Sequence, residues 1–206
     1  MKKVVNFISL IITLGLLAGC SQKPVKTIQN LKTAYNGEST ASAKYAAFSE
    51  KARAEGYDTI AVMFSAASKA EAIHAQNHKK VLEKLGEVIG APEIGKFEVL
   101  STAENLADAI KGETYELETM YPGFIVQSKA EKSVDATKSM TWALDTEKKH
   151  QVFYQKALDA IKGGGEKSLA AQWMVCPVCG NTYDMPAIPA KCDFCMTAKE
   201  KFILFS

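Results

Sequence analysis

EAIH at 71–74 and EKKH at 147–150 decide the fold. Each sets a carboxylate three residues before an imidazole, and on a helix that spacing brings both groups onto one face, about one turn apart. Around the first motif an apolar stripe runs Ile60, Phe64, Ala67, Glu71, His74, His78, Val81, Leu85. Around the second it runs Met140, Ala143, Glu147, His150, Tyr154, Ala157, Ile161. Both motifs therefore interrupt a seam that should face a core. Two more segments repeat the pattern: Leu31, Ala34, Glu38, Ala41, Tyr45, Phe48, Ala52, and Leu106, Ala109, Glu113, Glu116, Met120, Gly123, Gln127.

Glutamate is almost never buried without a partner. Burying five ionised carboxylates together costs far more than a domain's net stability of about 5–15 kcal/mol. The alternative is a shifted register that turns the glutamates outward, and it must hold on all four segments at once. Solvated charge has its own place on the opposite faces, to which Lys69, Lys79, Lys148 and Lys149 are assigned. Cations at the centre solve the problem, and a mixed carboxylate and imidazole set suits iron or manganese better than a thiolate-seeking metal. Two Glu-x-x-His pairs with a glutamate from each remaining helix form the pattern of ferritin-like di-metal bundles. His78 is read as a neighbour of that site, held by another side chain rather than by metal.

The four helices are expected at 28–55, 58–85, 101–131 and 133–162, punctuated by Gly56, GEVIGAPEIG at 86–95 and the glycine run 163–165. Ser101 or Thr102 can cap the third helix, and Pro122 should kink it. An internal echo at an offset of 76 pairs Tyr45 with Tyr121, Phe48 with Phe124, Glu55 with Glu131, Glu71 with Glu147 and His74 with His150. It suggests two helix pairs of common design. The fold class is an all-α four-helix bundle over 28–162, a glycine-rich linker at 163–170 and a small four-cysteine domain over 171–206.

That tail carries Cys176, Cys179, Cys192 and Cys195 as C-x2-C-x12-C-x2-C. Two such knuckles point to a tetrahedral four-thiolate metal site. Gly180 should let backbone N–H groups turn toward the sulfurs, with Trp173, Tyr183, Phe194 and Phe202 shielding the metal. Spacing leaves three occupants open: iron passing single electrons, structural zinc, or two disulfides.

At the other end, Lys2 and Lys3 precede an apolar run closing on Leu17-Ala18-Gly19-Cys20. This describes a secretory signal over 1–19, too short for a transmembrane helix. The last four residues resemble a lipobox, which implies lipid on Cys20 and a tether over 20–27 that holds the protein at a membrane. The 25 basic and 23 acidic residues give a formal charge of +2, and losing Lys2 and Lys3 leaves 23 against 23. No basic patch argues for nucleic acid.

The stretches AYNGESTASAKYAAFSEKARAEGY, ASKAEAIHAQ, TAENLADAIKGETYELETMYPGF, DTEKKH and MVCPVCG resemble the rubrerythrin family. The resemblance covers about 28–206, and CDFCM departs from it by lacking the proline and glycine of free rubredoxins. It implies a peroxidase that reduces hydrogen peroxide with electrons from an unidentified donor, working as a homodimer. It further implies a di-iron site held by Glu38, Glu71, Glu113, Glu116, Glu147 and His150, with His74 and Glu116 exchanging on one iron as redox state changes. Tyr45 and Tyr121 would line that site, and the four cysteines would hold a rubredoxin-type iron. Two rival functions are an iron-storing ferroxidase bundle and a non-enzymatic lipoprotein with a zinc ribbon.

Overall fold

The protein is described here by a computed structural model over residues 23–206, apart from 167 and 187. The lipobox, Cys20 and the segment 1–19 lie outside the described residues. Helices α1 (Val25–Ala54) and α2 (Asp58–Lys84) form the first antiparallel pair. Small hydroxyl residues line their contact: Ser42 with Ser68, and Ser49 with Ser65 and the Ala61 carbonyl. Residues 86–101 then cross along the outside of α1, tied to it through Tyr35, Asn36 and Thr40.

Helix α3 (Thr102–Tyr115) starts with a reciprocal Ser101–Glu104 capping box, which satisfies orphan backbone donors at the first turn. The kink expected at Pro122 appears as a π-helical turn, Glu116–Met120, before α4 (Tyr121–Ala130). Proline has no N–H to continue the α ladder. The chain widens instead, and Tyr121 N–H bonds the carbonyl of Glu116, five residues back. Helix α5 (Val134–Lys162) completes the second pair.

The echo is structural. Glu55 accepts from Thr102 N–H at 2.8 Å at the start of α3, and Glu131 accepts from Thr27 N–H at 2.8 Å at the start of α1. In each half the first helical segment thus closes on a carboxylate, Glu55 after α1 and Glu131 after α4, that meets the positive N-terminal end of the other half's first helix. The inter-helix turns also match. Gly56 sits at φ +82, and Lys132, in the corresponding place, takes φ +56 without glycine's freedom.

The tail folds as an antiparallel sheet in the order β2 (Thr182–Asp184), β1 (Trp173–Val175), β3 (Ile203–Phe205). Trp173 does not shield the cysteines as expected. It packs edge-on to Phe153 at 4.6 Å and, with Val175, joins the bundle's apolar core. Tyr183, Phe194 and Phe202 do surround the cysteines, together with Trp142 of α5. The linker is pinned as well, since Glu166 accepts from Thr59 and Ile60 N–H at the start of α2, both at 3.1 Å. No helix among the described residues is long and apolar enough to cross a membrane.

Candidate metal centres

Two apolar clusters fill the bundle, one around Phe48, Phe64 and Leu106 and the other around Leu31, Leu82 and Met140. Between them lies a polar layer. Glu38, Glu71, His74, Glu113, Glu147 and His150 are each 2% exposed or less. Two interlocking groups emerge, Glu38–Glu71–His74–Glu147 and Glu71–Glu113–Glu147–His150, with the ligand atoms of each within 4.8 Å of one another.

The shared members show how the pair is organised. Glu71 directs Oε2 to His74 Nδ1 at 2.9 Å and Oε1 to His150 Nδ1 at 3.1 Å. Glu147 directs Oε1 to His74 Nδ1 at 3.0 Å and Oε2 to His150 Nδ1 at 2.8 Å. One carboxylate from each Glu-x-x-His motif therefore reaches both histidines, and Glu71 and Glu147 would be shared between two cations held there. Glu38 and Glu113 close the opposite ends.

Several of these converging atoms are buried without a hydrogen-bond partner: Glu38 Oε2, Glu71 Oε1, both Glu147 oxygens and His150 Nδ1. Orphaned buried carboxylate oxygens are strongly unfavourable, and cations satisfy them. The donor set of oxygen with one imidazole at each end fits a di-iron pair. Without metal the crowding is visible in proton affinities. Burial and then repulsion from Glu71 and Glu147 push Glu38 up to about 8 despite the lowering contact with His74. Glu113 and Glu116 are raised in the same way, first by burial and then by neighbouring carboxylates.

Glu116 belongs to neither group. It begins the π-helical turn, and it is His74 rather than Glu116 whose ligand atom joins the carboxylate cluster. A π-turn is a common device at functional sites. Tyr45 donates to Glu113 at 2.6 Å, and Tyr121 donates to Glu38. Each tyrosine thus serves the terminal glutamate of the other half.

His78 is no ligand. Tyr121 gives its proton to Glu38, so His78 Nε2–H donates to the tyrosine oxygen at 3.0 Å and Ser139 donates to Nδ1 at 2.9 Å. Burial, and next the charge of His74, push His78 down to about 3, which keeps the ring neutral.

The four cysteines form one cage, unbonded, with Sγ pairs 3.4 Å apart for Cys176–Cys195 and Cys179–Cys192. That spacing excludes the disulfide reading for these residues and fits four thiolates around one ion. Gly180 has φ +83, but its N–H goes to the Cys176 carbonyl at 3.0 Å rather than to sulfur. Its main service is room. A Cβ there would lie 2.3 Å from His74 Nε2.

Two residues on, Thr182 Oγ1 stands 2.9 Å from His150 Nε2. With Nδ1 turned to the carboxylates, Nε2–H donates to Thr182. Gly180 and Thr182 therefore touch both site histidines, and sequence reasoning missed this. Helical periodicity marks one seam per helix and carries no signal for what a C-terminal module presses against.

The rubrerythrin family model matches residues 29–158, most of the bundle. The chain belongs to the rubrerythrin family. It is 31% identical to rubrerythrin-2 of Clostridium acetobutylicum over 188 residues, covering 90% of this chain and all of that one. It is also 31% identical to nigerythrin of Nitratidesulfovibrio vulgaris over 179 residues, covering 87% and 86%. A solved structure of nigerythrin in its fully reduced, all-ferrous state superposes with a TM-score of 0.78 at 31% identity, covering 86% of each chain. Membership makes the chain a di-iron oxidative-stress protein: the carboxylate–histidine cluster fits the two irons, and the four-cysteine cage fits a rubredoxin-like metal site.

Proposed function

We propose that the protein is a non-haem di-iron peroxidase. Hydrogen peroxide, two protons and two electrons yield two waters, and the electrons enter through the four-cysteine iron. The irons, when bound, supply redox equivalents and Lewis-acid stabilisation of charge developing on oxygen. The chain's own part is to hold and insulate. Glu71 and Glu147 fix the separation of the two positions. Tyr45 and Tyr121 occupy one oxygen of each terminal glutamate and leave the other for metal. His78 and Ser139 commit the Tyr121 proton to Glu38.

One observation carries the electron-transfer half of this reading. The segment after Cys179 reaches His150 through Thr182 and presses on His74 through Gly180, so one covalent stretch and one hydrogen bond join cage to cluster. A storage bundle needs no such one-electron port. The segment touches histidines of its own chain, which supports transfer within one chain.

The test is anaerobic purification, a count of iron and zinc, and peroxide added to reduced protein while the ferric–thiolate absorption is followed. Rapid return of that band, at about one peroxide per two electrons, is expected. Bound zinc with no band would remove the port. The proposal extends to location: lipid on Cys20 holds the protein at a membrane on the exported side. Cys20→Ala should then release it to the soluble fraction, and unchanged membrane retention counts against the anchor.

A further inference from the structure

The two lysines of EKKH do not share a fate. Lys148 is exposed and pairs with Asp145 at 2.7 Å. Lys149, assigned by its sequence position to a solvated face, is half-buried beneath the four-cysteine domain. Its ammonium donates to Asn181 Oδ1 at 2.7 Å. It also lies over the rings of Tyr183, at 4.2 Å, and Phe194, at 5.1 Å, two of the aromatics packed around the cage. Asn181 is fully buried, and its Nδ2 group points toward Tyr183 Oη at 2.7 Å and Cys192 Sγ at 3.7 Å. A helix of the bundle therefore inserts a cation against the wall of the cage, and one amide links that cation to a ligand sulfur.

We propose that Lys149, carried between the di-iron ligands Glu147 and His150, raises the reduction potential of the four-cysteine iron. The physical basis is charge. One electron converts ferric to ferrous iron and adds one negative charge to the four-thiolate cage. A fixed cation beside the cage favours the more negative state, and partial burial limits the screening by water. The aromatic faces hold the ammonium in place through cation–π attraction. An N–H directed at Cys192 acts in the same sense by withdrawing charge from sulfur. Burial disfavours the charge on Lys149, while Asp193, Asp184 and the nearby cysteines favour it, and the two aspartates oppose part of its field. A raised potential makes the port easier for a weak donor to load, and the residue that sets it belongs to the helix that builds the di-iron site.

The inference rests on iron in the cage and not on peroxide chemistry, so a failed peroxide assay leaves its test standing. The full chain is loaded with iron and titrated against mediator dyes, and the midpoint is read from the ferric–thiolate absorption. Lys149→Met keeps the aliphatic stem and removes the charge. It should shift the reduction equilibrium at least about tenfold toward ferric iron, which for one electron is about 59 mV. Lys149→Arg should stay within about twofold of the parent, as should the exposed control Lys148→Met. An unchanged midpoint in Lys149→Met overturns the proposal. So does an equal fall in Lys149→Arg, which would assign the effect to packing, or an equal fall in Lys148→Met, which would assign it to net charge.

Discussion

The two halves of the bundle carry the same ligands and hold them differently. In the second half, His150 turns Nδ1 toward the carboxylates, and its outer nitrogen Nε2 is tied to Thr182. In the first half, His74 has carboxylates at Nδ1 only; its Nε2 is buried with no hydrogen-bond partner and faces Gly180. A ligand histidine whose outer nitrogen has a partner is held in one tautomer and orientation. A histidine without that outer partner is freer to turn away. The exchange of His74 for Glu116 that the resemblance implies would fall on the untied side, and among the described residues the π-turn that carries Glu116 lies in the second half.

The comparison is broken most violently at Gly180. Gly180→Ala adds a Cβ against His74 and strains a positive φ, for a combined cost of about 2–5 kcal/mol. A thermal melt should show that loss, together with slowed transfer between the two centres. A variant as stable as the parent would mean the cysteine domain does not press on His74.

Removing the metals strains both halves together. Glu38 rises from 4.5 to about 8 on folding, and His74 and His150 also rise, held up by their carboxylates against burial. The folded state then binds more protons than the unfolded one, so stability falls as pH rises. Metal-free protein should lose on the order of a few kcal/mol between about pH 4.5 and 8. Metal-loaded protein should not, since cations replace those protons. Urea melts of both forms across that range test the sign.

Thr182→Val probes the tie on His150. It leaves Nε2–H buried without an acceptor, at about 1–3 kcal/mol, and should weaken metal binding about 10- to 100-fold. Calorimetric titration with metal reads this, and an unchanged affinity would make the two histidines equivalent.

The smallest effect belongs to the turns. Lys132→Gly relieves a left-handed lysine at the place where the first half already has Gly56, and should stabilise by up to about 1 kcal/mol once glycine's chain entropy is subtracted. Chemical denaturation can resolve it.

What could be read from the sequence followed the helical period. Glu71, His74, Glu147 and His150 fall on apolar seams because a buried metal site must interrupt a core stripe, and the structure buries all four. The four cysteines were legible from spacing, since a knuckle is a local object. Lys149, Thr182 and Gly180 were not. Their roles arise where the tail docks on α2 and α5, and α5 is covered on a second side that no single stripe records. Glu116 still closes an α-type bond to Gly112, and the π-turn that widens the chain beyond it is marked by no helical period. Trp173 was misplaced for a similar reason: its nearness to Cys176 in sequence says nothing of β1 facing the bundle.

Transfer within one chain is the claim on which the account turns. Two crippled chains test it when co-expressed: Cys192→Ser, which lacks the port, and Glu147→Ala, which lacks a bridging carboxylate. In-chain transfer predicts that the mixed protein consumes peroxide no faster than the two variants assayed alone. Activity restored well above that sum would show that the cage of one copy serves the di-iron site of another, and would contradict it.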